Sequence, residues 1–234
     1  MDLMLETLKE GLPRLGLELG DEICVQLCDF GRAMVKQNEV MNLTGITEDA
    51  PVAKLHLLDS LTVLACADLK GKRIIDVGCG AGFPGVPLAI ACPEARVTLL
   101  DSLAKRMNWL ETVLPQVGIK NAECITARAE EAVSTRRESY DFATSRAVAR
   151  LNMLLELTAP YVKVGGKFLA LKGAMTREEV DEAKNAITTL GGRVAEIREF
   201  PIADAIHRIV VIEKIRPTPK QYPRKFAKIK QSPL

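Results

Sequence analysis

The chain has 234 residues, 47% hydrophobic and 26% charged, with a net charge of +2, the balance of an ordinary globular protein able to bury a sizeable core. No low-complexity segment or internal repeat is visible, and six cysteines without a Cys-x-x-Cys beside only two histidines support neither a zinc cage nor a disulfide framework. Charge is uneven: six basic against twelve acidic residues give −6 over residues 1–70, residues 71–216 carry +3, and residues 217–234 carry +5 with no acid.

The N-terminus opens on Asp2 and Glu6 instead of a basic stretch before an apolar one, so no secretory signal is expected and the cytoplasm is the expected compartment. From Asp21, the residues Ile23, Leu27, Phe30, Met34 and Met41 recur at helical intervals and predict an amphipathic helix. Cys24 and Cys28 lie one turn apart and read as buried thiols. A turn over residues 42–45 leads to a second helix over residues 51–67, with Pro51 in its first turn. Residues 1–70 are thus an N-terminal helical extension.

After Gly71 the pattern changes. Short apolar runs at residues 73–77, 97–101, 122–127, 140–145 and 167–171 alternate with helical stretches, which predicts a parallel sheet covered by helices on both faces. The last two runs, residues 194–200 and 208–215, are joined around residues 203–206 by too short a link for a crossover and should pair antiparallel. The longest uncharged stretch, residues 77–93, is broken by glycines and prolines, so no membrane-spanning helix is expected. This is the α/β outline of a class I methyltransferase, Rossmann-like, that uses S-adenosylmethionine (SAM). It predicts a catalytic domain over residues 71–216 and a basic tail over residues 217–234.

The most informative segment is the buried strand ending at Asp76 and Val77, the turn carrying Gly78 and Gly80, and the helix that follows. Glycines there let the backbone pass close to a ligand. A G-x-G-x-x-G at Gly80, Gly82 and Gly85 also fits a nicotinamide cofactor, but a carboxylate at Asp76 favours a cationic sulfonium and amino group over a pyrophosphate. Asp101, closing the next strand with Ser102 beside it, is placed for a ribose diol. Ala129 and Glu130 follow the third strand, where an amide and a carboxylate would read the adenine edge. The cofactor expected from these residues is SAM.

Several segments carry a resemblance: DVGCGAGFPGVPLAI from Asp76, LLDSLAKR from Leu99, ARAEE from Ala127, DFATSRAVA from Asp141 and HRIVV from His207. With NEVMNLT from Asn38, HLLDSL from His56 and the ending from Pro223 to Leu234, the chain resembles, over nearly its whole length, the glucose-inhibited division protein B family. Its members methylate N7 of a guanine in small-subunit (16S) ribosomal RNA, guanine 527 in the family. Gln37 stands where the family usually has tryptophan, and Cys79 where serine is common. The resemblance implies cofactor contacts at Gly78, Phe83, Asp101, Ser102, Ala129, Glu130 and Arg146.

Guanine N7 carries a lone pair and no proton, so its methylation needs no general base, and His56 and His207 read as structural. Arg146 or Lys172 would donate to O6 or a nearby phosphate, a carboxylate such as Asp59 would receive N1–H and N2–H₂, and Lys172 is assigned to RNA positioning. RNA contacts are expected from Arg146, Lys172, Lys220, Arg224, Lys225, Lys228 and Lys230, so that removing residues 217–234 should weaken RNA binding and spare SAM binding. The expected partner is 16S rRNA or the small ribosomal subunit, met by a monomer without metal or membrane. The rival readings are a SAM methyltransferase of another substrate and a catalytically silent RNA-binding or assembly factor.

Overall fold

Up to Cys66 the chain is helical in the computed structural model, which describes residues 2–234. Helix α1 (Leu3–Gly11) begins where the Asp2 carboxylate accepts the Leu5 N–H at 3.1 Å, a side-chain cap of a free amide. The buried face of α2 (Asp21–Met41) carries Leu27, Phe30 and Met34 of the predicted stripe together with Cys24 and Cys28, while Ile23 and Met41 are only half-buried. An uninterrupted helical run follows: α3 (Asp49–Val52), a π-helical stretch (Ala53–Leu58) and α4 (Asp59–Cys66).

The strands are β1 (Arg73–Val77), β2 (Arg96–Asp101), β3 (Ala122–Thr126), β4 (Tyr140–Arg146), β5 (Val162–Lys172), β6 (Gly192–Ile202) and β7 (Ala205–Lys214). Between them run α5 (Gly85–Ala91), α6 (Ala104–Gln116), α7 (Ala129–Ala132), α8 (Leu151–Thr158), α9 (Thr176–Glu182) and α10 (Lys184–Thr189). They form one sheet in the order β3-β2-β1-β4-β5-β7-β6, in which the first five strands are parallel and β7 is antiparallel to both β5 and β6. Strands β6 and β7 run beyond the apolar stretches that predicted them at their hairpin ends, because their pairing continues past the buried residues to a turn at Ala203 and Asp204, while β5 begins earlier than predicted, at Val162. One apolar cluster, which includes Phe30, Leu61 and Leu110, packs the N-terminal helices with α5 and α6 on one face, and a second, with Leu154, Phe168 and Ile187, packs α8 to α10 on the other.

After β3 the chain returns to the far side of β1 to form β4. Loops leaving the carboxyl ends of β1 and β4 therefore diverge, and ligands of open α/β sheets bind in the crevice that results. Gly85 lets α5 lie close under it, since a Cβ there would collide with Leu99 and with the Asp76 carboxylate.

Residues 217–234 pack against the sheet domain. Arg137 donates to the carbonyls of Thr218 and Tyr222, Arg224 pairs with fully buried Glu156, and the short α11 (Phe226–Gln231) buries Ile229 completely. Among the described residues no helix is long and apolar enough to cross a membrane.

Candidate active site

At the carboxyl ends of β1 to β4 lies a cavity of about 450 Å³, a size suited to a cofactor. Its floor is the glycine turn, with Gly78 and Gly80 at φ of 73° and 57°, a conformation that glycine adopts without strain. Asp101 fastens the turn from the side: its Oδ2 accepts the Gly80 N–H and its Oδ1 the Leu103 N–H, both at 2.9 Å. A carboxylate offers about four acceptor sites, so roughly two remain for further donors. Exposed Ser102 lies beside it. Ala129 and Glu130 line the far wall, where the Tyr161 hydroxyl donates to the Ala129 carbonyl at 2.6 Å.

The opposite wall comes from the helical extension. Arg146 leaves the end of β4 and donates from Nη1 to Asp59 Oδ2 (2.8 Å) and to the Leu55 carbonyl (2.9 Å). Its Nη2 lies 3.1 Å from His56 Nδ1. Asp59 Oδ1 is held by His207 Nδ1 at 2.7 Å. Burial works against the Asp59 charge, but His207 and Arg146 outweigh it and hold its pKa below the usual carboxylate range. Phe83, nearly buried, stacks on the His56 ring with centroids 4.9 Å apart and carries the Arg146 guanidinium 5.2 Å over its face.

Burial, with Arg146 adding to it, pushes the His56 pKa from 6.5 down to about 4. The ring is therefore neutral at physiological pH. Its contribution to stability is present in full above pH 6.5 and is lost as the pH falls through 4, because the unfolded chain takes up a proton that the folded one refuses. We expect the stability difference between wild type and His56→Gln to move in the variant's favour by about 3 kcal/mol over that window. Urea unfolding at pH 7, 5.5 and 4 measures it, and a difference independent of pH would refute the buried neutral imidazole.

Several sequence expectations are corrected. Asp76 does not face the cavity. It is fully buried beneath the turn, where Oδ2 accepts the Gly85 N–H at 2.7 Å and Oδ1 has no protein partner, and burial pushes its pKa up to about 7. Asp59 is buried with both oxygens engaged, which removes it as an acceptor for the purine. The Lys172 side chain, 7% exposed, donates to the Ala149 carbonyl and to Glu179 at 2.7 Å each, so it braces the loop after β4 instead of meeting RNA. Arg224 donates to Glu156 through its N–H, Nε and Nη2, which leaves Lys220, Lys225, Lys228 and Lys230 as the exposed cations of the tail.

Cavity residues that the sequence did not single out include Thr44, Arg106, Arg128 and Phe226. All four sit inside segments that carried the resemblance. The Arg128 guanidinium lies 5.7 Å over the Phe226 ring, so α11 closes the cavity beside Ala129 and Glu130.

The residues present fit SAM. A glycine-floored turn lets the backbone approach, and Asp101 at its side keeps acceptor capacity for a diol. Comparison with known proteins points the same way. Residues 23–207 match the family described as rRNA small subunit methyltransferase G (GidB). The chain is 44% identical over 232 residues to Ribosomal RNA small subunit methyltransferase G of Alkaliphilus metalliredigens, with 97% of each chain covered. To the protein of that name from Clostridium novyi it is 46% identical over 223 residues, covering 93% of this chain and 92% of that one. Among solved structures it is similar to a SAM-dependent O-methyltransferase of Thermotoga maritima, with a TM-score of 0.55 and 18% identity over 78% of this chain and 72% of that one. It is also similar to a 16S rRNA (adenine(1408)-N(1))-methyltransferase variant with cosubstrate SAM from Catenulisporales acidiphilia, with a TM-score of 0.52 and 17% identity over 64% and 87% of the chains. At such identities the structural likeness is one of fold.

Proposed function

The chain belongs to the rRNA small subunit methyltransferase G family, and on that premise we propose that it methylates N7 of one guanine of 16S rRNA, guanine 527 in the family, with SAM as donor. The observation that carries the reading is the cavity itself: a glycine turn fastened by Asp101 at the point where the strand order reverses, opening between the helical extension and the C-terminal helix.

When bound, SAM supplies a methyl group made electrophilic by its sulfonium. Gly78 and Gly80 would let the chain approach it closely, Asp101 and Ser102 would hold the ribose, and Ala129 and Glu130 the adenine edge. Phe83 and Phe226 would keep water from the reacting atoms.

The remaining work is alignment and charge balance. His56 is not poised as a general base, since its ring is neutral with both nitrogens already engaged. N7 requires none, having no proton to lose. The charge of Arg146 is balanced by Asp59 at 2.8 Å, so it does not draw electrons from the nucleophile as a free cation would. Arg106, Arg128 and the exposed tail lysines would meet phosphates, with an affinity that falls as salt rises. We place the enzyme in the cytoplasm, acting as a monomer on the small subunit or its RNA.

The test uses unmodified small-subunit RNA, naked and as assembled subunits, with labelled SAM. Borohydride reduction and aniline cleavage should cut the RNA at one guanine after treatment with the protein. Label incorporated without a new scission would show methylation at another atom, and no incorporation would overturn the assignment.

A further inference from the structure

The hydrogen-bond chain from Arg146 to the cavity runs in one direction. Arg146 has donors and no acceptor, so Nη2 must donate to His56 Nδ1 across 3.1 Å. A ring nitrogen that accepts carries no proton, which places the imidazole proton on Nε2. That nitrogen lies 2.9 Å from Thr44 Oγ1 and donates to it. The Ile46 N–H donates to the same oxygen at 3.0 Å. Both lone pairs of the Thr44 hydroxyl are then occupied, and only its proton is left to offer. Thr44 lines the cavity beside His56, Phe83 and Arg146. A threonine hydroxyl ordinarily donates or accepts as its neighbour requires; this one is fixed as a donor.

We propose that the Thr44 hydroxyl selects the target purine by donating to O6 of guanine and by refusing the amino group that adenine carries at the same place. The proposal deepens the guanine-N7 reading and rests on it. On the edge that includes N7, guanine presents two acceptors, N7 and O6, whereas adenine presents the acceptor N7 and the donor N6–H₂. Against adenine, the Thr44 O–H would face an N–H with no acceptor between them. Leaving buried polar groups unpaired in this way is how binding sites reach large discrimination. With Asp59 against it, Arg146 orients the donor through neutral His56 and brings no unpaired cation to the O6 and N7 edge, where a free charge would weaken the nucleophile.

The test compares wild type with Thr44→Val, which keeps the shape and loses the hydroxyl, and Thr44→Ser, which keeps the hydroxyl, at a temperature where all three are folded. Affinity for S-adenosylhomocysteine is measured by calorimetry, and single-turnover methylation on small subunits reconstituted with guanine or with 2-aminopurine, which lacks O6, at the target position. We expect Thr44→Val to slow the guanine reaction by about 10²-fold, the usual cost of one preorganised donor. Thr44→Ser should stay within several-fold of wild type, and cofactor affinity should be the same in all three. On the 2-aminopurine substrate, wild type and Thr44→Val should react alike. An undiminished rate for Thr44→Val on guanine, an equal loss on 2-aminopurine, or a parallel loss of cofactor affinity would each overturn the assignment. Should Thr44→Val not fold, wild type acting equally well on both substrates would overturn it. Wild type that leaves the target guanine unmethylated would instead remove the reading on which it rests.

Discussion

Arg146→Ala should be the most damaging single substitution in the cavity, lowering folding stability by about 3–5 kcal/mol and slowing methylation by about 100-fold. The first figure follows from Asp59, only 8% exposed at its side chain. Without the guanidinium, that carboxylate keeps a single partner, His207, and an uncompensated buried charge is costlier than the pair that enclosed it. The second follows from geometry. Arg146 ties β4 to Leu55, Asp59 and His56 of the helical extension and lies over Phe83, so its loss lets one wall shift against the other, and a shift of about 1 Å is enough for such a rate effect. Arg146→Lys should not rescue, because an ammonium lacks the planar fork that reaches three acceptors. A double-mutant cycle with Asp59→Asn, read by urea unfolding, should show a strong favourable coupling. Additive effects, or an unchanged unfolding midpoint for Arg146→Ala, would refute the role of this pair.

Removal of residues 217–234 is the second. A detached basic tail would cost only RNA affinity, whereas the folded one should cost SAM affinity and stability as well. Glu156 is completely buried and receives three donors from Arg224, at 2.6–2.8 Å. Truncation leaves it inside the protein with none of them, at a cost of about 3–5 kcal/mol, and takes away the Phe226 wall of the cavity. Point variants divide the two functions. Replacing Lys225, Lys228 and Lys230 by alanine should weaken RNA binding and flatten its salt dependence by roughly 0.7–0.9 per lost phosphate contact, with S-adenosylhomocysteine affinity unchanged. Phe226→Ala should do the reverse. A truncated chain with the wild-type melting temperature and cofactor affinity would overturn the account.

Much of the fold was legible because alternation of apolar runs is local information. The limits of β1 agree with the sequence reading, and the short link near Ala203 was enough to set β6 and β7 antiparallel. Part of the cavity followed from topology alone: residues just past strand ends, such as Gly78, Ser102, Ala129 and Glu130, must gather where the parallel strands end. Side-chain direction was the weaker inference. Asp76 lies one step inside the end of β1 and its side chain turns under the glycine loop towards α5. Lys172 and Arg224 looked free because their acids stand on other elements, Glu179 on α9 and Glu156 on α8. Thr44 and Phe226 reach the cavity from opposite regions of the chain, and no periodicity reports which segments will meet.

That meeting has a consequence for biosynthesis. A nascent polypeptide that has emerged from the translating ribosome only as far as its fifth strand holds the glycine turn and Asp101 but lacks Phe226 and the partner of Glu156. The donor pocket is therefore finished by residues synthesised after the whole sheet, and a product that stops at the fifth strand lacks one of its walls.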